Sequence, residues 1–214
     1  MVDTKRITTI IQLLKQAYPQ AHMILRYHTS WELLVAVMLS AQCTDVTVNK
    51  VTEKLFAKYR TLDVNTHAHD TEFENDIRST GFYHHKAKNI LAAAKLIQTK
   101  FNGQIPKTME EMVTITGVGR KTANVVLGNA YGIVEGIAVD THVLRLSQRL
   151  HLVDPKNNNP VKVERELMAL IPKKDWFTLT YLLIDHGRAV CKARNPNCAG
   201  CVVNKLCPSS RLQG

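Results

Sequence analysis

Thr116 to Lys121 reads Thr-Gly-Val-Gly-Arg-Lys, between one helical stretch and the next. Gly117 and Gly119 around Val118 permit a tight turn with positive φ and a close approach to a ligand. The amides of such a turn, with the N-terminus of the helix behind it, present donors to an anion, and one phosphate of DNA fits them. A plain helix–helix turn would also favour glycine. Arg120 and Lys121 directly after the pair tip the balance toward phosphate. Lys121 falls in the first helical turn, where the helix dipole disfavours an ammonium. Desolvation and Arg120 act in the same direction. A neutral amine there is a nucleophile able to form a Schiff base with a sugar carbon. Most lysines near glycine turns only bind phosphate, so this role needs a partner. Asp140, after the apolar run Ile137 to Val139, supplies one. An aspartate ahead of a helix is most often an N-cap. At the edge of a core, its carboxylate can also help a base depart or stabilise an oxocarbenium-like transition state.

The second chemical stretch is terminal. Cys191, Cys198, Cys201 and Cys207 are separated by six, two and five residues. Four thiolates so spaced can close around one metal centre, either a structural zinc or an iron–sulfur cluster. Only Cys198 and Cys201 form a tight pair. The longer outer loops favour the larger object, and spacing alone leaves zinc open. Four unrelated buried thiols are a poor alternative. Asn195, Pro196, Asn197 and Gly200 make the segment turn-rich, and it needs a staple. Cys43 stands alone beside an apolar helix and reads as a small buried hydrophobe.

The elements that must hold these groups are helical. Ile7, Ile10, Ile11 and Leu14 form one apolar face, and Leu34, Val35, Met38 and Leu39 form another. Asp45 reads as the N-cap of a helix carrying Val48, Val51 and Leu55. Ala87, Ile90, Leu91, Ala94 and Ile97 line a further face, and Thr108 to Glu111 reads as a capping box. Further helices are expected near 120–131, 141–150, 161–171 and 175–190. Asp154 to Pro160 reads as a surface loop, and the tail after Cys207 as short and loosely held. No stretch alternates long enough to predict a sheet, so the fold class is all-α.

Composition narrows the partners. The chain has 214 residues, 45% of them hydrophobic, and 28 Lys plus Arg against 18 Asp plus Glu give a net charge of +10. That surplus favours a polyanion, a nucleic acid or an anionic membrane. The longest near-apolar run, Trp31 to Ala41, is too short to span a bilayer. The N-terminal sequence lacks the apolar core of a secretory signal, which predicts a cytoplasmic protein. In a reducing cytosol the five cysteines are not expected to pair as disulfides.

At these residues the chain resembles the endonuclease III family of DNA glycosylases, within the helix–hairpin–helix superfamily. The likeness covers nearly the whole chain. It includes Leu39 to Asp45 (LSAQCTD), Gly81 to Tyr83, Lys86 to Ile90, Gly117 to Val126, Ala138 to His142 and the four cysteines. Departures are Ile115-Thr116 where the family commonly has Leu-Pro, Phe82 for a usual leucine, and one extra residue around Val134 to Gly136.

The resemblance implies two helical domains with a DNA-binding cleft between them. Residues 22–133 would form a six-helix barrel with the hairpin; residues 1–21 and 134–214 would form the cluster domain. Lys121 would be the Schiff-base nucleophile and Asp140 the essential carboxylate. The four cysteines would hold a [4Fe–4S] cluster with a structural, DNA-contacting role, with Lys192 and Arg194 beside them touching phosphates. Gln42 would enter the space left by an extruded nucleotide and Phe82 would wedge into the duplex, alongside backbone contacts from Gly117, Val118, Gly119 and Arg120. The implied activity is base-excision repair: removal of oxidised or ring-saturated pyrimidines from double-stranded DNA, then cleavage of the abasic site. The protein would act as a monomer on nucleoid DNA. Two alternatives are a monofunctional mismatch glycosylase, against which Lys121 and the short chain argue, and a non-catalytic DNA-binding module.

Overall fold

A computed structural model describes residues 4–212 of the chain. The first three residues of the N-terminal stretch and the last two of the tail lie outside the described residues. Every regular element among the described residues is a helix, as the apolar spacing predicts. The chain divides into two compact units: Ile24–Ile133, and the segments on either side of it.

The unit Ile24–Ile133 holds α2 (Ser30–Leu39), α3 (Asp45–Lys58), α4 (Leu62–Thr66), α5 (Asp70–Ile77), α6 (Tyr83–Lys100), α7 (Met109–Met112) and α8 (Arg120–Tyr131). Helix α2 is central. Nine of its ten residues are buried, so it has no solvent face at all. Its start is fixed by a reciprocal cap: the Thr29 hydroxyl accepts from the Glu32 amide, and the buried Glu32 carboxylate accepts from the His28 amide at 2.6 Å. Around α2 pack α3, α6 and α8, while α4 and α5 lie on α6. Val48, Val51 and Leu55 of α3 and Ala87, Ile90, Leu91, Ala94 and Ile97 of α6 are buried as expected. One boundary is shifted: Thr44 caps α3, its side chain accepting from the Thr47 amide, and Asp45 becomes the first helical residue. A hydroxyl one residue earlier reaches the amide, and Asp45 instead complements the dipole in the first turn. Cys43 is half-buried, not a core residue. It lies in the turn between α2 and α3 and not on a helix face.

The other unit holds α1 (Thr4–Ala17), α9 (Thr141–Arg149), α10 (Pro160–Leu170) and α11 (Trp176–Ala189). Helix α11 packs on α1 and α9. Its core joins Ile7, Ile10, Ile11 and Leu14 of α1 to Val143, Leu146, Leu167, Leu179, Leu182 and Leu183. The Asp154–Pro160 loop ends with Asn159 capping α10 and Pro160 inside its first turn. The tail is better held than its composition suggests: Ser210 is buried and its amide donates to the Cys207 carbonyl.

Candidate active site and cluster loop

Within Ile24–Ile133, the glycine turn has the geometry its residues predict. Gly117 has φ of +79°, and Gly119, in extended conformation, caps α8. Arg120 and Lys121 occupy the first two positions of that helix, and both are half-buried. Val118 is buried and pins the turn from below. A Cβ on Gly117 would stand 2.9 Å from the Asn89 Cβ and 2.9 Å from the Met38 Cε, so only glycine lets the turn lie this close to α6 and α2. Gly119 faces open space and serves its helix cap instead.

Three other turns in the same unit carry left-handed residues that are not glycine: Asn102 at φ +51°, of a type that adopts this region readily, and two that do not, Gln42 and Phe82. Gln42 is exposed with φ of +52°, just after α2. Phe82 has φ of +48°, follows Gly81 at +69° and leaves 67% of its surface in solvent. A bulky residue in the left-handed region is strained, and such strain gathers at functional sites. Between the turns of Gln42 and Phe82 lies a residue to which the sequence assigned no role. Lys86 of α6 is only 7% exposed, and its Nζ donates to the carbonyls of Leu39 and Thr80, both at 2.8 Å. Burial holds its pKa below the ordinary lysine value, with the Cys43 side chain opposing.

In the other unit, Asp140 is the N-cap of α9. Its Oδ1 accepts from the amides of His142 and Val143, both at 2.8 Å. Its Oδ2 lies 3.1 Å from the His142 Nδ1. The carboxylate is therefore fixed in orientation and remains partly in solvent. Helix α9 is held against α11 at contact distance. A Cβ on Gly187 would meet the His142 Cδ2 at 2.9 Å and the Arg145 Nη2 at 3.0 Å.

Cys191, Cys198, Cys201 and Cys207 all line one cavity at the end of this unit. Among the described residues, no three His, Cys, Asp or Glu side chains are grouped to hold a single metal ion. The four cysteines border one shared space, and a polynuclear iron–sulfur centre is held by such a set of thiolates. Burial pushes the Cys201 and Cys207 thiols up, and the neighbouring cysteines add to it. Four thiolates together need the positive charge that such a centre brings.

Donors surround the sulfurs. Arg149 gives Nη1 to the Cys191 Sγ at 3.2 Å and to the Lys192 carbonyl at 2.8 Å, and Nη2 to the Ala193 carbonyl at 2.9 Å. Arg145 donates to the Cys191 carbonyl, and Arg6 to the Leu206 carbonyl at 2.7 Å. The His186 Nε2 lies 3.4 Å from the Cys201 Sγ, and its Nδ1 lies 2.9 Å from the Tyr18 hydroxyl. Burial pushes His186 down to about 4, so the ring is neutral with one N–H. The ring stands between the Tyr18 hydroxyl at Nδ1 and the Cys201 sulfur at Nε2. Lys192 and Arg194 are exposed on the loop. Arg149, His186 and Tyr18 were not singled out from sequence, and Lys86, within a stretch that carries the resemblance, was given no role. A histidine and an arginine on otherwise core-facing helices were the available signal.

Comparison with known proteins agrees with this geometry. The HhH-GPD superfamily of base excision DNA repair proteins matches residues 35–173, more than half of the chain. The iron–sulfur binding domain of endonuclease III matches residues 191–207. Endonuclease III of Synechocystis sp. is 50% identical over 97% of this chain and 94% of its own length. A non-covalent endonuclease III–DNA complex superposes with a TM-score of 0.94 at 42% identity, covering 99% of this chain and 98% of that one. A trapped endonuclease III–DNA covalent intermediate gives the same TM-score and identity, covering 99% of each chain. The chain belongs to the endonuclease III family. It carries a [4Fe–4S] cluster, which the thiol-lined cavity fits.

Proposed function

We propose that this chain excises oxidised or ring-saturated pyrimidines from duplex DNA and then cuts the strand at the abasic site, working on nucleoid DNA in the cytoplasm as a monomer. The observation that carries the proposal is Lys121 in the first turn of α8, directly behind the Gly117–Gly119 turn. The turn's amides hold a backbone phosphate, and the amine of Lys121 is presented beside it.

The chemistry then runs through the chain's own groups. The net charge of +10 draws DNA in and makes affinity fall with salt. The damaged nucleotide leaves the stack, at low cost because a saturated ring stacks poorly. The neutral Lys121 amine attacks C1′, the C1′–N bond to the base breaks, and the base departs with its electron pair and takes up a proton. Loss of the amine proton and opening of the sugar give a Schiff base. That iminium acidifies the C2′ hydrogen; water takes this proton, the freed pair forms the C2′–C3′ double bond as the C3′–O bond breaks and the 3′ phosphate leaves with its electrons, and a second water hydrolyses the Schiff base to free Lys121. Asp140, oriented by two amides, stabilises the positive charge that builds on the sugar as the base departs.

Residues 22–133 are assigned to the hairpin domain, and residues 1–21 with 134–214 to the cluster domain. Cys191, Cys198, Cys201 and Cys207 are assigned as the cluster ligands. The cluster supplies a rigid, charge-compensated staple for the loop that presents Lys192 and Arg194 to phosphates. Gln42 fills the gap left in the stack and Phe82 wedges beside it.

Borohydride reduction on an abasic duplex tests the central step. Wild type should give a covalent adduct mapping to Lys121. Lys121→Ala should give none and lose at least about a thousandfold in strand cleavage while still binding. Asp140→Asn should bind normally and slow base release. An adduct on another side chain, or none in wild type, would leave only a metal-stapled DNA-binding module.

A further inference from the structure

Lys86 has no place in the chemistry above, yet its position is costly. Its ammonium is buried in the first turns of α6, where both desolvation and the helix dipole oppose a positive charge. What it gains is two carbonyls from two different turns. The Leu39 carbonyl belongs to the C-terminal end of α2, three residues before Gln42. The Thr80 carbonyl lies two residues before Phe82. Helix ends leave such carbonyls without intrahelical partners. A water molecule or a local turn could satisfy either one. A single cation shared between them does something those cannot, because it fixes their separation.

Both turns end in a strained, exposed residue, Gln42 at φ +52° and Phe82 at φ +48°. A left-handed conformation in a non-glycine residue persists only where its surroundings over-determine it. One helical turn along α6 from Lys86, Asn89 abuts Gly117 at the distance that excludes a Cβ. The same face of α6 therefore gathers three turns, those of Gln42, Phe82 and the glycine hairpin.

We propose that Lys86 is a positioning residue for nucleotide extrusion, its ammonium tying the Gln42 turn to the Phe82 turn so that both enter the duplex as one unit. The proposal rests on the assignment of those two side chains as the groups that enter DNA. Without the tie, each turn samples its own conformations and must be ordered separately when DNA arrives, so the entropic cost falls on the extrusion step. Chemistry on a nucleotide that is already unstacked does not carry that cost.

The test compares extrusion with chemistry in the cluster-loaded protein. Stopped-flow fluorescence on a thymine-glycol duplex with 2-aminopurine beside the lesion reports extrusion. Strand cleavage of a single-stranded oligonucleotide with one abasic site reports chemistry without extrusion. Lys86→Met, which keeps the length and loses the donors, should slow the fluorescence rise by about ten- to a hundredfold and leave single-strand cleavage unchanged. Lys86→Gln, able to reach only one carbonyl, should fall between the two. A parallel loss in both assays would overturn the proposal, as would an unchanged fluorescence rise. Failure of both variants to fold would also overturn it, since Lys86 would then serve stability alone. In an otherwise wild-type protein, Gln42→Ala with Phe82→Ala should slow extrusion as well. Wild-type extrusion from that double variant would remove the underlying assignment, whatever Lys86 does.

Discussion

Helix α2 and the cysteine loop are held by opposite means. Nearly every side chain of α2 is buried, and its neighbours α3, α6 and α8 close around it. From Cys191 to Cys207 only Val203 is buried. Apart from Val203 and the side chains packed beside it, that loop's protein-borne restraints are polar: arginine donors on carbonyls and sulfur, and a histidine on Cys201. The difference teaches where a cofactor is required. A helix with apolar side chains at eight of its ten positions makes its own core. A loop of asparagine, proline, glycine and exposed cations cannot, so order must come from the iron–sulfur centre that this domain binds.

Removing the cluster should sharpen this contrast most. Amide hydrogen exchange after chelation of the iron should lose about a hundredfold or more of its protection across residues 191–207, with α2 amides unaffected. Equal losses in both regions would break the comparison. A smaller effect is expected from Leu34→Ala, which opens a cavity in α2. It should cost about 3 kcal/mol by denaturant unfolding and leave the cluster's absorption intact. The smallest is Arg149→Met, which leaves the Lys192 and Ala193 carbonyls to water and takes a donor from Cys191. It should cost about 1–2 kcal/mol and hasten cluster loss in air. If Arg149→Met proved more damaging than Leu34→Ala, the polar restraints would outrank core packing and the contrast would be inverted.

What the sequence disclosed follows the same division. Apolar spacing marked α1, α2, α3 and α6 because burial and helical period are one signal, and Ile7, Ile10, Ile11 and Leu14 are all buried. It missed α4 and α5, whose short span buries only Leu62, Asn65, Phe73 and Ile77. Four inward positions spread over two short helices make no stripe. The glycine turn, the place of Lys121 in the first turn of α8 and the capping position of Asp140 were legible because each is set by residues adjacent to it. Lys86 was not, since one of its acceptors is 47 residues away. His186 was not, since Tyr18 meets it across 168 residues. Left-handed backbone at Gln42 and Phe82 was also hidden, because neither side chain favours it.

Gly187 sets a gauge with no slack. Helix α9, with Asp140 at its head, rests against α11, which runs on into the first cysteine, and only a hydrogen atom separates the two at that point. One added methyl group there would have to push His142 and the Arg145 guanidinium outward together. A carboxylate's aim and a thiol loop's anchorage therefore share a single tolerance, less than the width of one carbon atom.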